Sequence, residues 1–283
     1  MICNEKNSLK DGRIKEFEPG KMEMMGIINV TPNSFFAGSR TYNHEEAVKR
    51  AEKLISEGAT FIDVGGESTR PGSEPVEIDE EIKRVCPVIK EIKKLHPEII
   101  ISVDTYNVKT AREAVRSGAD IINDISGLTF DEDMVKVISE EKVPVIIMHI
   151  NGRPKTMQKD PHYDDVVKEV YEFLERQINY ALENGVSRDK IIIDLGIGFG
   201  KNYEHNIELL RNVSYFDKFE LPHLLAVSRK TFIGKTIGEE DPEDRLFGTV
   251  AVSLYAQTKG IEIARVHDVK ENYQAVKMME ALI

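Results

Sequence analysis

Cysteine is scarce in this sequence. The 283 residues include two, Cys3 and Cys86, which form no CxxC pair and supply no disulfide framework. That points to a reducing, cytoplasmic compartment. Long apolar runs are also missing: no stretch of about 18 apolar residues occurs, so no membrane-spanning helix is expected. The first 20 residues are polar and lack an apolar h-region, which argues against a signal peptide. Basic excess is absent, with 38 Lys+Arg against 49 Asp+Glu and a net charge of −11. This excludes a protein that coats nucleic acid and a polybasic membrane binder. It leaves room for an anionic small substrate, because a few cations in one cleft outweigh distant charge screened over about 10 Å. No linker or low-complexity tract divides the chain. No HExxH occurs, no Ser–His–Asp arrangement is readable, and neither Gly200-Lys201 nor Gly234-Lys235-Thr236 has the glycine spacing of a P-loop.

A regular alternation is present. Hydrophobic residues make up 41% of the chain, enough for a packed core. Eight short β-branched runs alternate with longer segments of helical period: 22–29, 60–65, 98–104, 119–123, 143–149, 190–194, 223–228 and 261–266. Helices are expected at 44–57, 79–95, 107–117, 132–141, 163–184, 203–212, 243–259 and 269–282, with Asp79 and Asn107 as N-caps. Gly58, Gly118, Gly185 and Gly260 fall at their C-terminal stops. Eight β-then-α units with almost wholly apolar strands predict an α/β fold, a single (β/α)8 TIM barrel spanning 21–283 behind a short mobile N-terminal extension at 1–20. An open doubly wound sheet is the alternative.

Barrel active sites lie where strands end, and here the strand ends are polar. In order they carry Asn29, Asp63, Asp104, Asn123-Asp124, Met148-His149, Asp194, Ser228-Arg229-Lys230 and Arg265-Val266-His267-Asp268. Asp104, Asn123 and Asp194 suit a ligand rich in N–H donors, since a carboxylate accepts two hydrogen bonds from a guanidine-like edge. Helix capping, or a hard cation held by oxygen, are the alternatives for these three. The cations stand apart: Arg70, Lys230, and Arg265 with His267. Barrels commonly bind phosphate near strands seven and eight. Arg265, His267 and Asn29 could there hold a diphosphate with Mg2+, which takes one or two protein oxygens besides phosphate and water. His149 reads as structural. The GIGFGK run at 196–201 reads as a tight turn that lets a ligand approach the backbone.

The motifs NVTPNSF (29–35), GGESTRPG (65–72), SVDT (102–105), IND (122–124), GIGFGK behind Asp194, SRK at 228–230 and RVHDV (265–269) occur in this order. Together they resemble the dihydropteroate synthase family, from about residue 22 to the end. The resemblance implies a transferase of folate biosynthesis that joins 6-hydroxymethyl-7,8-dihydropterin diphosphate to 4-aminobenzoate. It implies a pterin held by Asp104, Asn123, Asp194 and Lys230, with Met148 and Phe199 on its faces. Thr69, Arg265, Val266 and His267 would meet the diphosphate end, with Asn29 on Mg2+. Phe35, Thr69, Pro71 and Ser228 would contact 4-aminobenzoate, where sulfonamides compete. Lys230, Arg265, His267 and Arg70 would be the catalytic set, Arg70 joining Ser34 to tie two loops together. A homodimer through the later helices, including 243–259, is also implied.

The sequence departs from the family pattern. Asn33 and Ala37 replace acids of the first loop, Phe36 adds an aromatic, Leu195 stands where Pro is usual and Ala226 where Gly is common. The loop changes bear on closure, rate and sulfonamide response; the last two are expected to shift the pterin floor. Two alternatives follow: a pterin-binding paralogue without turnover, and a corrinoid-linked methyltransferase domain, which would have no need of STRPG, SRK or the 265–267 grip.

Overall fold

The β-branched runs pair in parallel, in chain order, as β1 (Glu23–Asn29), β2 (Phe61–Gly65), β3 (Ile100–Asp104), β4 (Ile121–Asp124), β5 (Val145–Met148), β6 (Ile191–Asp194), β7 (His223–Leu225) and β8 (Ile263–Val266). β8 then pairs with β1 in the register Ile263↔Glu23, closing the barrel and excluding the open sheet. The computed structural model describes residues 9–10, 13–14, 17–31, 40–68 and 72–282. Helices surround the barrel: α1 (Arg40–Ser56), α2 (Ile78–Leu95), α3 (Val108–Ser117), α4 (Met134–Glu141), α5 (Val166–Glu183), α6 (Tyr203–Arg211), α7 (Thr231–Ile237), α8 (Leu246–Thr258) and α9 (Val269–Glu280).

The two-residue alternation of a strand sorts side chains into two cores. Each strand sends one apolar residue into the barrel: Met25, Phe61, Ile100, Ile121, Ile146, Ile192, Leu224 and Ile263, joined by Ala226. Their neighbours Met24, Ile62, Ile101, Ile122, Val145, Ile191, Ile193, Leu225, Ala264 and Val266 face outward and pack under the helices. The first set fills the lower barrel as a plug.

Several boundaries differ from the sequence reading for local reasons. β7 ends at Leu225 because the chain turns over Val227–Lys230, with Lys230 N–H on the Val227 carbonyl and Arg229 at φ 58°. The short α7 follows that turn and is too brief to show a helical period. Asp79 lies inside α2, whose N-cap is Glu77. Asn107 does occupy the α3 N-cap, but its amide donates to Glu81 instead of capping the helix. Within the N-terminal extension, read from sequence as a mobile tail, Leu9–Lys10 and Arg13–Ile14 pair as an antiparallel hairpin. Ile14 and Phe17 pack against the plug from below.

Candidate active site

Two residues beyond the plug, the same alternation brings a different set inward: Asp63, Ser102, Asn123, Met148, Asp194 and Arg265. A further step brings Asn29, Gly65, Asp104, Ser228 and His267 to the mouth. Asp63, Asp104, Asn123, Asp194 and Ser228 are all buried. The predicted acids and Arg265 form one network. Arg265 donates from Nε to Asp63 Oδ2 at 2.6 Å and from Nη2 to Asp104 Oδ2 at 2.8 Å. Asn123 Nδ2 stands 3.4 Å from both Asp63 oxygens. Asp104 Oδ1 is buried without a hydrogen-bond partner. Burial pushes the Asp104 carboxyl up to about 7, against the pull of Arg265.

A second cluster surrounds Asp194. Its carboxylate accepts the Gly196 N–H at 2.8 Å, and burial raises it while Lys230 opposes the rise. Lys230 Nζ donates to the Ile197 carbonyl and lies 4.7 Å from the centre of the Phe199 ring. Burial holds Lys230 down at about 8, with Asp194 acting the other way. Met148 pairs in register with Asp194. With Ile125, Ile150 and Met157 it forms an apolar cluster at the mouth, joined by Phe199, Tyr106 and Phe130. Acids on one side and an apolar wall on the other suit a flat, donor-rich heterocycle.

The rim is built by β7 and β8. Ser228 Oγ accepts the His267 N–H at 3.1 Å and lies 2.9 Å from Nδ1 of the same ring. Below them Arg229 grips Asp268 with Nε at 2.9 Å and Nη2 at 2.8 Å, and Arg50 donates to the His267 carbonyl at 2.6 Å. Asn29 pairs in register with Gly65. A Cβ at Gly65 would stand 3.4 Å from Asp104 Cβ, 3.7 Å from Asp104 Oδ2 and 3.8 Å from Asn29 Oδ1, so the glycine lies between these two side chains. Among the described residues no group of three or more His, Cys, Asp or Glu is placed to hold a metal.

Three sequence readings need correction. Val266 points outward into the helical layer, so only its backbone can face the site. Leu195 faces outward too and forms no part of a ligand floor, whereas Ala226 does face inward. Asp124 turns away: its oxygens accept the N–H groups of Ser126 and Leu128 at 2.8 and 2.9 Å, pinning a turn. Thr69, Arg70, Pro71 and Phe35, with Asn33, Ser34, Phe36 and Ala37, lie outside the described residues. Sequence reasoning gave no role to Asp63, although its place two residues after the inward Phe61 marks it as inward. It also passed over Glu67, whose carboxylate accepts the Tyr106 hydroxyl at 2.5 Å and the Val76 N–H at 2.8 Å, pinning the base of the second loop.

The fold and this arrangement define a class: an α/β-barrel enzyme with buried carboxylates gathered around Arg265 and Lys230 at the barrel mouth. Comparison with known proteins narrows it. The model of the pterin binding enzyme family matches residues 25–267. Dihydropteroate synthase of Escherichia coli is 44% identical over 260 residues, 92% of this chain and 91% of its own length; that of Synechocystis sp. is 42% identical over 94% and 92%. Among solved structures, the Yersinia pestis synthase with a sulfonamide drug superposes with a TM-score of 0.87 at 39% identity, over 93% of this chain and 94% of that one. The Xanthomonas albilineans synthase in complex with 7,8-dihydropteroate gives 0.86 at 36% identity, over 96% of each chain. This chain belongs to the pterin-binding enzyme family, among its dihydropteroate synthases.

Proposed function

We propose that this enzyme condenses 6-hydroxymethyl-7,8-dihydropterin diphosphate with 4-aminobenzoate to give 7,8-dihydropteroate and diphosphate. The observation that carries the reading is the buried acid pair, Asp104 and Asp194, set around Arg265 with His267 at the mouth. The guanidine-like edge of the pterin donates to Asp194, Asp104 and the Asn123 side chain. Lys230 serves a ring acceptor, and Met148 and Phe199 cover the faces. Arg265 spends Nε and Nη2 on Asp63 and Asp104, and its Nη1 end, with His267, serves the diphosphate. Thr69, Arg70, Pro71 and Phe35 complete the rim and the aminobenzoate pocket with Ser228.

In the reaction the methylene C–O bond to the diphosphate breaks, the aminobenzoate nitrogen bonds to that carbon, and the nitrogen loses a proton. Electron release from the pterin ring favours bond loss first. The acids around the ring then face developing positive charge while Arg265 and His267 hold the departing anion, so catalysis is mainly fixed charge and exclusion of water. Asn29 supplies a single oxygen at the rim, which suits Mg2+ carried largely by diphosphate and water. When bound, Mg2+ would neutralise the leaving group.

Assay of dihydropteroate formation and diphosphate release, with Mg2+ and with EDTA, tests the reading. Condensation that falls with EDTA supports it. Diphosphate release without condensation places the fault in the aminobenzoate loops, where Asn33 and Ala37 lie. Tight dihydropterin binding with no turnover would turn the assignment to a binding paralogue.

The enzyme is further read as a homodimer. α8 carries Phe247, Val250, Ala251, Leu254 and Tyr255 along one stripe, and Phe247 is 84% exposed. Such a stripe at helical spacing fits an isologous contact. Phe247→Glu should yield monomers by sedimentation. A cytoplasmic location rests on the two cysteines. Among the described residues no helix is long and apolar enough to cross a membrane.

A further inference from the structure

Beneath the ligand wall lies a buried amine that the proposed chemistry does not use, its pKa pushed well down by burial while Asp194 acts the other way. Lys201 closes the GIGFGK run and is 2% exposed. Its side chain turns back under the loop it ends. Nζ lies 2.7 Å from His149 Nδ1, 2.9 Å from the Gly196 carbonyl oxygen and 3.1 Å from the Phe199 carbonyl oxygen. An ammonium has three donors and no acceptor, so the three contacts account for its whole capacity. Two of them belong to the loop after β6 and one to the residue after β5.

The loop needs such a tie. Gly196, Gly198 and Gly200 all have left-handed φ, at 62°, 83° and 63°. A Cβ at Gly196 would collide with the His149 carbonyl oxygen, and one at Gly200 with that of Asn151. The loop therefore lies directly on the backbone of residues 149–151, with no side chains of its own between. Glycines permit this close approach but do not hold it. Gln158 on the Gly198 carbonyl and Tyr163 on the Gly200 carbonyl, at 2.5 and 2.9 Å, hold the outer edge. Asp194 accepts the Gly196 N–H and Asn206 the Gly198 N–H, at 2.8 and 2.6 Å. Among the described residues Lys201 is the side chain that takes the Gly196 and Phe199 carbonyls, on either side of Ile197, whose own carbonyl takes the Lys230 ammonium.

We infer that Lys201 is a positioning residue: its three contacts with His149, Gly196 and Phe199 fix the height at which the loop presents the Phe199 ring and the Ile197 carbonyl, and so set affinity for the pterin ring. This rests on the pterin reading above. It also gives His149 a role: with Lys201 as the ammonium, Nδ1 is the acceptor of the pair and carries no proton. The ring is neutral, with its hydrogen on Nε2, edge-on to Phe173 at 4.8 Å between centroids. Burial and the adjacent lysine push the His149 value well down, in keeping with a neutral ring.

The test compares Lys201→Met, His149→Leu and His149→Asn with the wild type. In His149→Asn the amide oxygen takes the place of Nδ1. Dihydropterin binding is read by calorimetry, and KM for each substrate and kcat by assay. Lys201→Met and His149→Leu should weaken dihydropterin binding about tenfold or more, the worth of a hydrogen bond to a charged group. KM for the pterin diphosphate should rise with it, while KM for 4-aminobenzoate and kcat change little. His149→Asn should restore most of the affinity, and 15N spectra of the wild type should show the Nε2–H tautomer.

Unchanged dihydropterin affinity in Lys201→Met and His149→Leu would overturn the inference. So would a fall in kcat alone, or His149→Asn no better than His149→Leu. If Lys201→Met does not fold, the two His149 variants decide. A wild type that binds no dihydropterin would refute the pterin reading itself, an outcome visible before any variant is made.

Discussion

The two ends of the barrel interior are built on the same strands yet obey opposite rules. The lower half takes one apolar side chain from every strand and leaves no charge among them. One step up, the same alternation delivers Asp63, Asn123 and Asp194, buried nearly as deeply, and the partly buried Arg265. The lower layer is what a stability optimum looks like. The upper layer collects desolvated charge, with Asp104 raised to about 7 and Lys230 lowered to about 8. Charges placed so are a cost to folding that a ligand can offset. The contrast separates residues that hold the protein together from residues proposed to meet the substrates, though both face inward.

The sharpest way to break the contrast is at Arg265. Arg265→Met should lower kcat/KM by about 10³-fold, as expected when a charge-stabilising donor is removed. It also leaves Asp63 and Asp104 facing each other unpaired. The loss of melting temperature should therefore be larger at alkaline than at acid pH, where Asp104 can take up a proton.

Phe61→Ala makes the opposite cut. It should cost about 3–5 kcal/mol in urea unfolding, the range for truncating a buried aromatic. The kcat of the remaining folded protein should stay near that of the wild type. A kcat loss as great as that of Arg265→Met would erase the distinction between layers.

Titration sharpens the comparison further. Asp104 sits at about 7 in the folded chain against an ordinary 3.8. The folded state thus binds this proton more tightly, a stabilisation present at low pH and lost as pH rises through about 7. Lys230, at about 8 against 10.5, adds nothing to the slope below that value, since it is protonated in both states there. At the lower end Glu262 is raised to about 7 by burial and follows the same sign. Asp104 and Glu262 should lower the melting temperature of the free enzyme as pH rises between about 4 and 7. His223, held down at about 4 by burial, acts the other way up to about pH 6.5. The fall should therefore be clearest between about pH 6 and 7, and less steep in Asp104→Asn. A dihydropterin that donates to Asp104 should remove the Asp104 share and release a proton on binding, seen as a buffer-dependent binding enthalpy. The Glu262 share should remain. The smallest effect is expected from Phe17→Ala, under the plug: about 1 kcal/mol of stability and no change in dihydropterin affinity.

The barrel was legible in the sequence because its signal is local. Runs such as IIISVD and VPVIIMH leave little choice but buried parallel strands, and their order gives closure at eight. Asp104, Asn123, Asp194, Lys230, Arg265 and His267 were legible because polar residues ending apolar strands stand out. Direction was harder to read. Val266 and Leu195 lie beside site residues in sequence but across the sheet from them in space, and only the parity set by Phe61 and Ile192 separates the two faces. Asp63 was missed for the same reason. The Lys201–His149 contact spans 52 residues, and no spacing announces it.

The plug has one more consequence. With Met25, Phe61 and six other apolar side chains filling the lower barrel and Ile14 and Phe17 beneath them, the interior is a blind-ended well. Protons reaching Asp104, Asp194 or Lys230 have no route from below and must enter by the opening the substrate uses. A heterocycle seated there is a stopper as well as a ligand. The protonation pattern present when it arrives is the one under which the reaction runs, and bulk acidity regains access to these groups only once the well is vacated.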